Sequence, residues 1–207
     1  VDGFDVLTRP RRRCAARQWA LHPSLRWALG AITAGSAFVR NGRMDVLAVN
    51  PLGRAFCSDV YAASANQDNF ARFAFLDPVS RRFYPDWDLA ADVTVAILRT
   101  GAGRNPHGKD LYDLVGELFT RGDVFRARWG SDNVGDRGTG AKRFHHRAVG
   151  GLTLAYEGLE MAAEPGLTLT VYAAEPGSPS EEGLRLLVSW AANRVTGTPP
   201  GRRQADP

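Results

Sequence analysis

Two glycine-bearing turn signals, Asn41-Gly42 and Gly150-Gly151, stand far apart in this chain, and each joins runs that read as strands. Asn-Gly between alternating runs is the strongest short-range hairpin signal, because both residues tolerate φ > 0. It predicts strands over Ala37–Arg40 and Asp45–Asn50, with positive φ at both turn positions. The second signal predicts a hairpin of Lys142–Val149 with Leu152–Met161, in which Leu152, Leu154 and Tyr156 form one apolar face. Gly158 then shifts the apolar phase to Leu159 and Met161, which predicts a bulge. Leu167–Ala174 supplies a fifth strand. Hairpins this far apart can share one sheet only if the chain between them is an insertion.

That intervening chain has a helical period over Pro51–Tyr61, Asn69–Leu76, Trp87–Arg99, Asp110–Arg121 and Val124–Trp129. Asp86 is placed as the N-cap of the third helix, and Gly101-Ala102-Gly103 as a loop after it. A further helix is expected over His22–Ile32, with Pro23 in its first turn. Ser178-Pro179-Ser180-Glu181 is a capping box opening a last helix through Leu184, Leu187 and Trp190. The fold class expected is α+β: a PAS-like five-stranded antiparallel sheet, with a helical insert between strands 2 and 3 covering one face. Residues 1–20 read as a basic tail or linker remnant, 21–193 as the domain, and 194–207 as a disordered tail.

Charge argues against a nucleic-acid-binding body. Five arginines precede residue 21 and three follow residue 190, against two acidic side chains in the first segment and one in the last. The rest holds 18 basic and 19 acidic side chains, so the excess sits in the tails and not on the surface that would displace counterions from phosphates. The longest uncharged apolar run, Trp27 to Val39, falls short of the ~18 residues of a membrane helix. It reads as a helix running into a strand, not as a leader peptide. Cys14 and Cys57 form no metal or disulfide spacing, which fits a reduced, cytoplasmic setting. No G-x-S-x-G, H-E-x-x-H or Walker loop is present, and no catalytic pair is expected. The segment from Asp110 to Trp129 mimics a helix-turn-helix, but its second helix spends Phe125 and Trp129 on burial.

FLDP (75–78), YPDW (84–87), LVGELF (114–119), KRFHH (142–146), VGGLTLAYE (149–157) and VYAAEPGSPS (171–180) occur in this order and spacing. Together they resemble the ligand-binding domain of the MmyB-like transcription regulators, over about residues 21–193. The resemblance implies a PAS-like sensory domain following an Xre-type helix-turn-helix, an actinomycete source, a likeness to dimeric regulators, and a small, mainly apolar, fatty-acid-like ligand. No cofactor is implied. Residues 1–20 are too few for the helix-turn-helix, so DNA contact is expected only through a head not present in this chain. The family's histidine three residues after the tryptophan is replaced here, since Gly130, Ser131 and Asp132 follow Trp129.

An apolar cavity is expected between the insert and the sheet, lined by some of Phe56, Phe73, Trp87, Phe119, Trp129, Phe144, Tyr156 and Val171. Arg126 and Arg143 are the side chains expected to meet a polar end. Period two places Lys142, Phe144 and His146 on one face and Arg143, His145 and Arg147 on the other, with the Phe144 face inward. His145-His146 is not a metal motif, because adjacent imidazoles on a strand point apart. Three readings follow: a ligand-sensing domain acting as a homodimer, a dimerisation module with a filled core, and an enzyme on a small apolar substrate.

Overall fold

The sheet is made from both ends of the chain and closed by its last strand. The computed structural model describes residues 20–131 and 139–196, the side chains of 191–196 excepted. Strands β1 (Ser36–Arg40) and β2 (Val46–Val49) form the first hairpin, and β3 (Thr139–His146) and β4 (Gly150–Glu160) the second. Strand β5 (Thr168–Ala173) lies between β1 and β4, giving the order β2-β1-β5-β4-β3 with all neighbours antiparallel. The fold is α+β. Between β2 and β3 the chain runs through α2 (Pro51–Phe56), α3 (Phe70–Leu76), α4 (Ser80–Phe83), α5 (Trp87–Arg104), α6 (Lys109–Arg121) and α7 (Asp123–Trp129). Helix α1 (Pro23–Ala31) precedes the sheet and α8 (Pro179–Thr196) follows it, running past Asn193, where the tail was expected to begin. Residues 1–19 and 197–207 of the expected tails, and Asp132, lie outside the described residues.

Two faces bury two cores. Phe38, Phe144, Leu152, Leu154, Tyr156 and Tyr172 point from one face into the main cluster, with Phe56, Phe73, Phe83, Leu98, Leu118 and Leu187 from the helices. Ala37, Val39 and Ala48 point the other way, onto Leu29 of α1, with Leu169 and Val171 beside them. Both faces of β1 and β5 are therefore covered.

Where strand becomes helix, asparagine side chains carry the change of direction. Asn50, buried at the N-cap of α2, accepts from the N–H groups of Ala37 (2.9 Å) and Gly53 (2.7 Å). Its amide donates to the carbonyls of Ile32 (2.6 Å) and Gly35 (2.8 Å). Asn69, buried at the N-cap of α3, accepts from Ala71 and Arg72 and donates to the Arg43 carbonyl and the Asp45 carboxylate. Each side chain satisfies four groups that a chain reversal would otherwise orphan.

Four expectations change. Positive φ falls on Met44 (67°) and not on Asn41 or Gly42. The Asn41 side chain accepts from the N–H groups of Arg43 and Asp45 and shapes the turn itself, so the left-handed residue is displaced to its end. Gly158 makes no bulge: β4 pairs β5 in unbroken register from Ala155↔Ala173 to Glu160↔Thr168. The apolar phase shifts there because Leu159 faces outward, 52% exposed; the irregularity lies between Val39 and Arg40. Asp86 precedes α5 without capping it, its carboxylate being engaged by Arg143. Helix α5 continues through Gly101-Ala102-Gly103, because the first turn rests on it: a Cβ on Gly101 would meet the Gly42 carbonyl at 2.8 Å.

Candidate functional site

A chamber of about 70 Å³ lies between α3, α4, α5 and the sheet. Its aromatic wall is braced by edge contacts, Phe56 on Phe144 at 4.9 Å and Phe144 on Tyr172 at 5.2 Å between ring centres. Such pairs add rigidity beyond their buried area. Met44 and Cys57 complete the apolar lining. Burial pushes the Cys57 thiol and the Tyr84 and Tyr172 phenols up, so none of them is ionised at neutral pH. By this measure a water occupies about 10–15 Å³, so the space exceeds what one or two waters fill.

The chamber's polar side is unusual. Arg40 from β1 and Lys142 from β3 both reach it, over a floor left bare by Gly158. The Lys142 ammonium sits 4.3 Å above the centre of the Tyr156 ring. Burial, with the charge of Arg40 nearby, pushes Lys142 down to about 8. Burial likewise lowers Arg40, against smaller opposing contributions from Tyr172 and Glu160. Among the described residues neither cation forms an ion pair; Arg40 reaches only the Asn41 carbonyl, at 3.5 Å. Partly desolvated charge is costly without a close counter-charge. Among the described residues no carboxylate lies within ion-pair distance of either cation, Glu160 acting on Arg40 only from farther away.

Outside lies an open cleft of about 840 Å³, between the β1–β2 turn, the C-terminal end of α5, the start of α6 and the β4–β5 turn. Arg40, Ile97 and Gly158 line both spaces, so they form the neck between chamber and cleft.

The sequence-predicted residues separate into groups. Phe56, Phe144 and Tyr156 stand around the chamber. Phe73 is packed behind it against Phe83 and Tyr84. Trp87, Phe119 and Trp129 join Phe75 and Phe125 in a second aromatic group away from the sheet. The indole of Trp87 donates to the Ala74 carbonyl at 3.0 Å, under the Arg81 guanidinium. Val171 belongs to the opposite face, under α1, and its neighbours Thr170 and Tyr172 take the chamber side. Arg126 pairs with Asp123 and donates to the Phe119 carbonyl. Arg143 forks onto Asp86 at 2.6 and 2.9 Å. Neither arginine reaches the chamber, since each already has a carboxylate near its own element. His146 is buried, its Nε2 3.2 Å from the Ala55 carbonyl, a packing role. Arg40 and Lys142 went unselected, although period two had already put Lys142 on the face of Phe144.

A family model described as the MmyB-like transcription regulator ligand binding domain matches residues 21–187. The chain belongs to this family. No curated protein matches the sequence. Membership gives the MmyB-like domain a ligand-sensing, regulatory role, and the match spans every element from α1 into α8. No helix among the described residues is long and apolar enough to cross a membrane. No group of three His, Cys, Asp or Glu among them is placed to hold a metal.

Proposed function

We propose that this MmyB-like domain senses a small, mainly apolar molecule with an anionic end, fatty-acid-like compounds being one class that fits. One observation carries the reading: an aromatic chamber whose only cations, Arg40 and Lys142, have no carboxylate partner among the described residues. The chain enters the chamber past Ile97, and the anion stays between Arg40 at the neck and Lys142 on the chamber wall. The strand order supports the PAS-like reading of the sheet. Signalling is a population shift: α2 presents Phe56 to the chamber and packs against α8, so a ligand that prefers one packing of α2 biases α8. The domain works in the cytoplasm as a homodimer. DNA is contacted through a helix-turn-helix, and no chemistry is done on the ligand.

Thermal melts with decanoic acid and decanol test this reading. The acid should raise the melting temperature with concentration, and Lys142→Met should abolish most of the rise. No shift with either compound, and nothing released by denaturing extraction of the native protein, would leave the dimerisation-only reading standing.

A further inference from the structure

We propose that the ligand's head is a dianion of the phosphate-ester class, seated at the neck and reaching into the open cleft, and not a single carboxylate. The inference rests on the chamber being the ligand site. Its first support is charge stoichiometry. Arg40 and Lys142 bring two positive charges to one partly desolvated place, with no carboxylate among the described residues paired to either. Glu160 acts on Arg40 only from a distance and is itself paired with Arg104. One ligand carboxylate therefore leaves part of that charge uncompensated, whereas a phosphate ester carries about −1.5 to −2 at neutral pH and offers three acceptor oxygens.

The second support is the space beyond the neck. A carboxylate held between Arg40 and Lys142 ends there, yet a cleft of about 840 Å³ continues outward past Arg40, Ile97 and Gly158. Arg43, Arg104 and Lys109 face it, against Asp110 and Glu160. Arg104 and Lys109 are engaged by exposed partners that yield easily, whereas Arg43 is held by Asp45, whose side chain is only 17% exposed. Arg104 meets Glu160 across the cleft at 2.6 Å, with the two side chains 55% and 66% exposed. Arg43 shares itself between Asp45 and, at 3.5 Å, Asp110, and Lys109 pairs with Asp113 on its own helix. Exposed pairs of this kind contribute little, while a guanidinium forked onto phosphate makes two charge-assisted hydrogen bonds. Arg104 is therefore placed to leave Glu160 for the head group.

Calorimetric titration of the protein with decyl phosphate, decanoate, decanol and inorganic phosphate, below micellar concentrations at one pH and ionic strength, tests the proposal. Decyl phosphate should bind at least about tenfold more tightly than decanoate. Arg104→Gln, at an exposed side chain, should weaken decyl phosphate severalfold and leave decanoate unchanged. Decanoate binding as tightly as decyl phosphate overturns the inference and keeps the chamber. Decanol matching both, or inorganic phosphate alone matching decyl phosphate, also overturns it. Equal loss of both ligands in Arg104→Gln removes the cleft from the head-group site. If no chain compound binds, the chamber reading falls, and the inference with it.

Discussion

Asn50 and Lys142 are both polar side chains set against apolar surroundings, and they differ in what surrounds the polar atoms. Around Asn50 every hydrogen-bonding position is taken: two donors and two acceptors of the backbone converge on one amide. Asn69 repeats the arrangement at the start of α3, with the Asp45 carboxylate in place of one backbone carbonyl. Around Lys142 there is an aromatic face, a bare glycine and a second cation. A fully satisfied buried polar group fixes one geometry and asks for nothing more. A partly buried charge with no carboxylate partner among the described residues is a cost that folding alone does not explain, and an arriving anion would remove it. At these two side chains the contrast separates a scaffold node from a charge that a ligand could answer.

The strongest way to break that comparison is at Asn50. Asn50→Leu should strand four backbone groups where the strands turn into α2, each worth on the order of 1–3 kcal/mol if left unpaired. We expect a loss of at least about 3 kcal/mol in denaturant unfolding, or no folded protein. Asn50→Asp keeps the cap acceptor but sets a carboxylate against the Ile32 and Gly35 carbonyls, so it should not rescue stability. A variant within about 0.5 kcal/mol of the parent would show that the node is replaceable by water.

Gly101 and Gly42 sharpen the point with steric contact in place of hydrogen bonds. Gly101→Ala drives a methyl into the Gly42 carbonyl at 2.8 Å, and backbone cannot step aside cheaply, so about 1–3 kcal/mol should be lost. Gly42→Ala meets only the Gly101 Cα at 3.4 Å, and Gly42 is not left-handed, so it should cost much less. Equal losses would mean that the first turn does not rest on α5.

The turns and the apolar alternation made the sheet and its insertion readable. They fell short where two structures share one pattern. In Thr168–Ala173 both faces are covered, so alternation separates Leu169 and Val171 from Thr170 and Tyr172 without saying which set faces the chamber. Helical aromatics gave the same ambiguity: Phe56 and Phe119 look alike in sequence, and only the packing of α6 and α7 sends Phe119 to the second aromatic group. Positive φ at Met44 was hidden because the Asn41 side chain, and not Gly42, governs the turn. Lys142 was legible by parity, yet a lysine on an edge strand reads as solvated until Arg40 is seen beside it. The two are more than a hundred residues apart in the chain.

A smaller effect is expected from pH. In the folded protein Lys142 titrates at about 8, and in the unfolded chain at the ordinary lysine value of 10.5. Between these values the unfolded state holds more protons, so unfolding free energy rises with pH across that window. Below about pH 8 the lysine is charged in both states and its cost is fully present. Urea titrations of the ligand-free protein from pH 7 to 10 should show this rise, and Lys142→Met should flatten it while being neutral or stabilising at pH 7. A fall across the window in the parent, unchanged in the variant, would show that Lys142 is not desolvated.

The smallest effect belongs to the next residue. Arg143 follows Lys142 in the same strand and has the same charge, but it projects to the opposite side, where it forks onto Asp86 with its side chain 64% exposed. The Asp86 carboxyl is held below the usual carboxylate range by that hydrogen-bonded arginine. Both groups are open to water and salt, so their attraction is screened and their removal leaves nothing buried and unpaired. Arg143→Gln should therefore leave the melting temperature nearly unchanged in moderate salt, and should leave binding of decanoate and decyl phosphate as in the parent. Lys142→Met, one residue away, should abolish most of that binding with little cost in folding. A loss of binding in Arg143→Gln as large as in Lys142→Met would place the head group on the outer face of β3, against both the parity of the strand and the neck formed by Arg40 and Gly158.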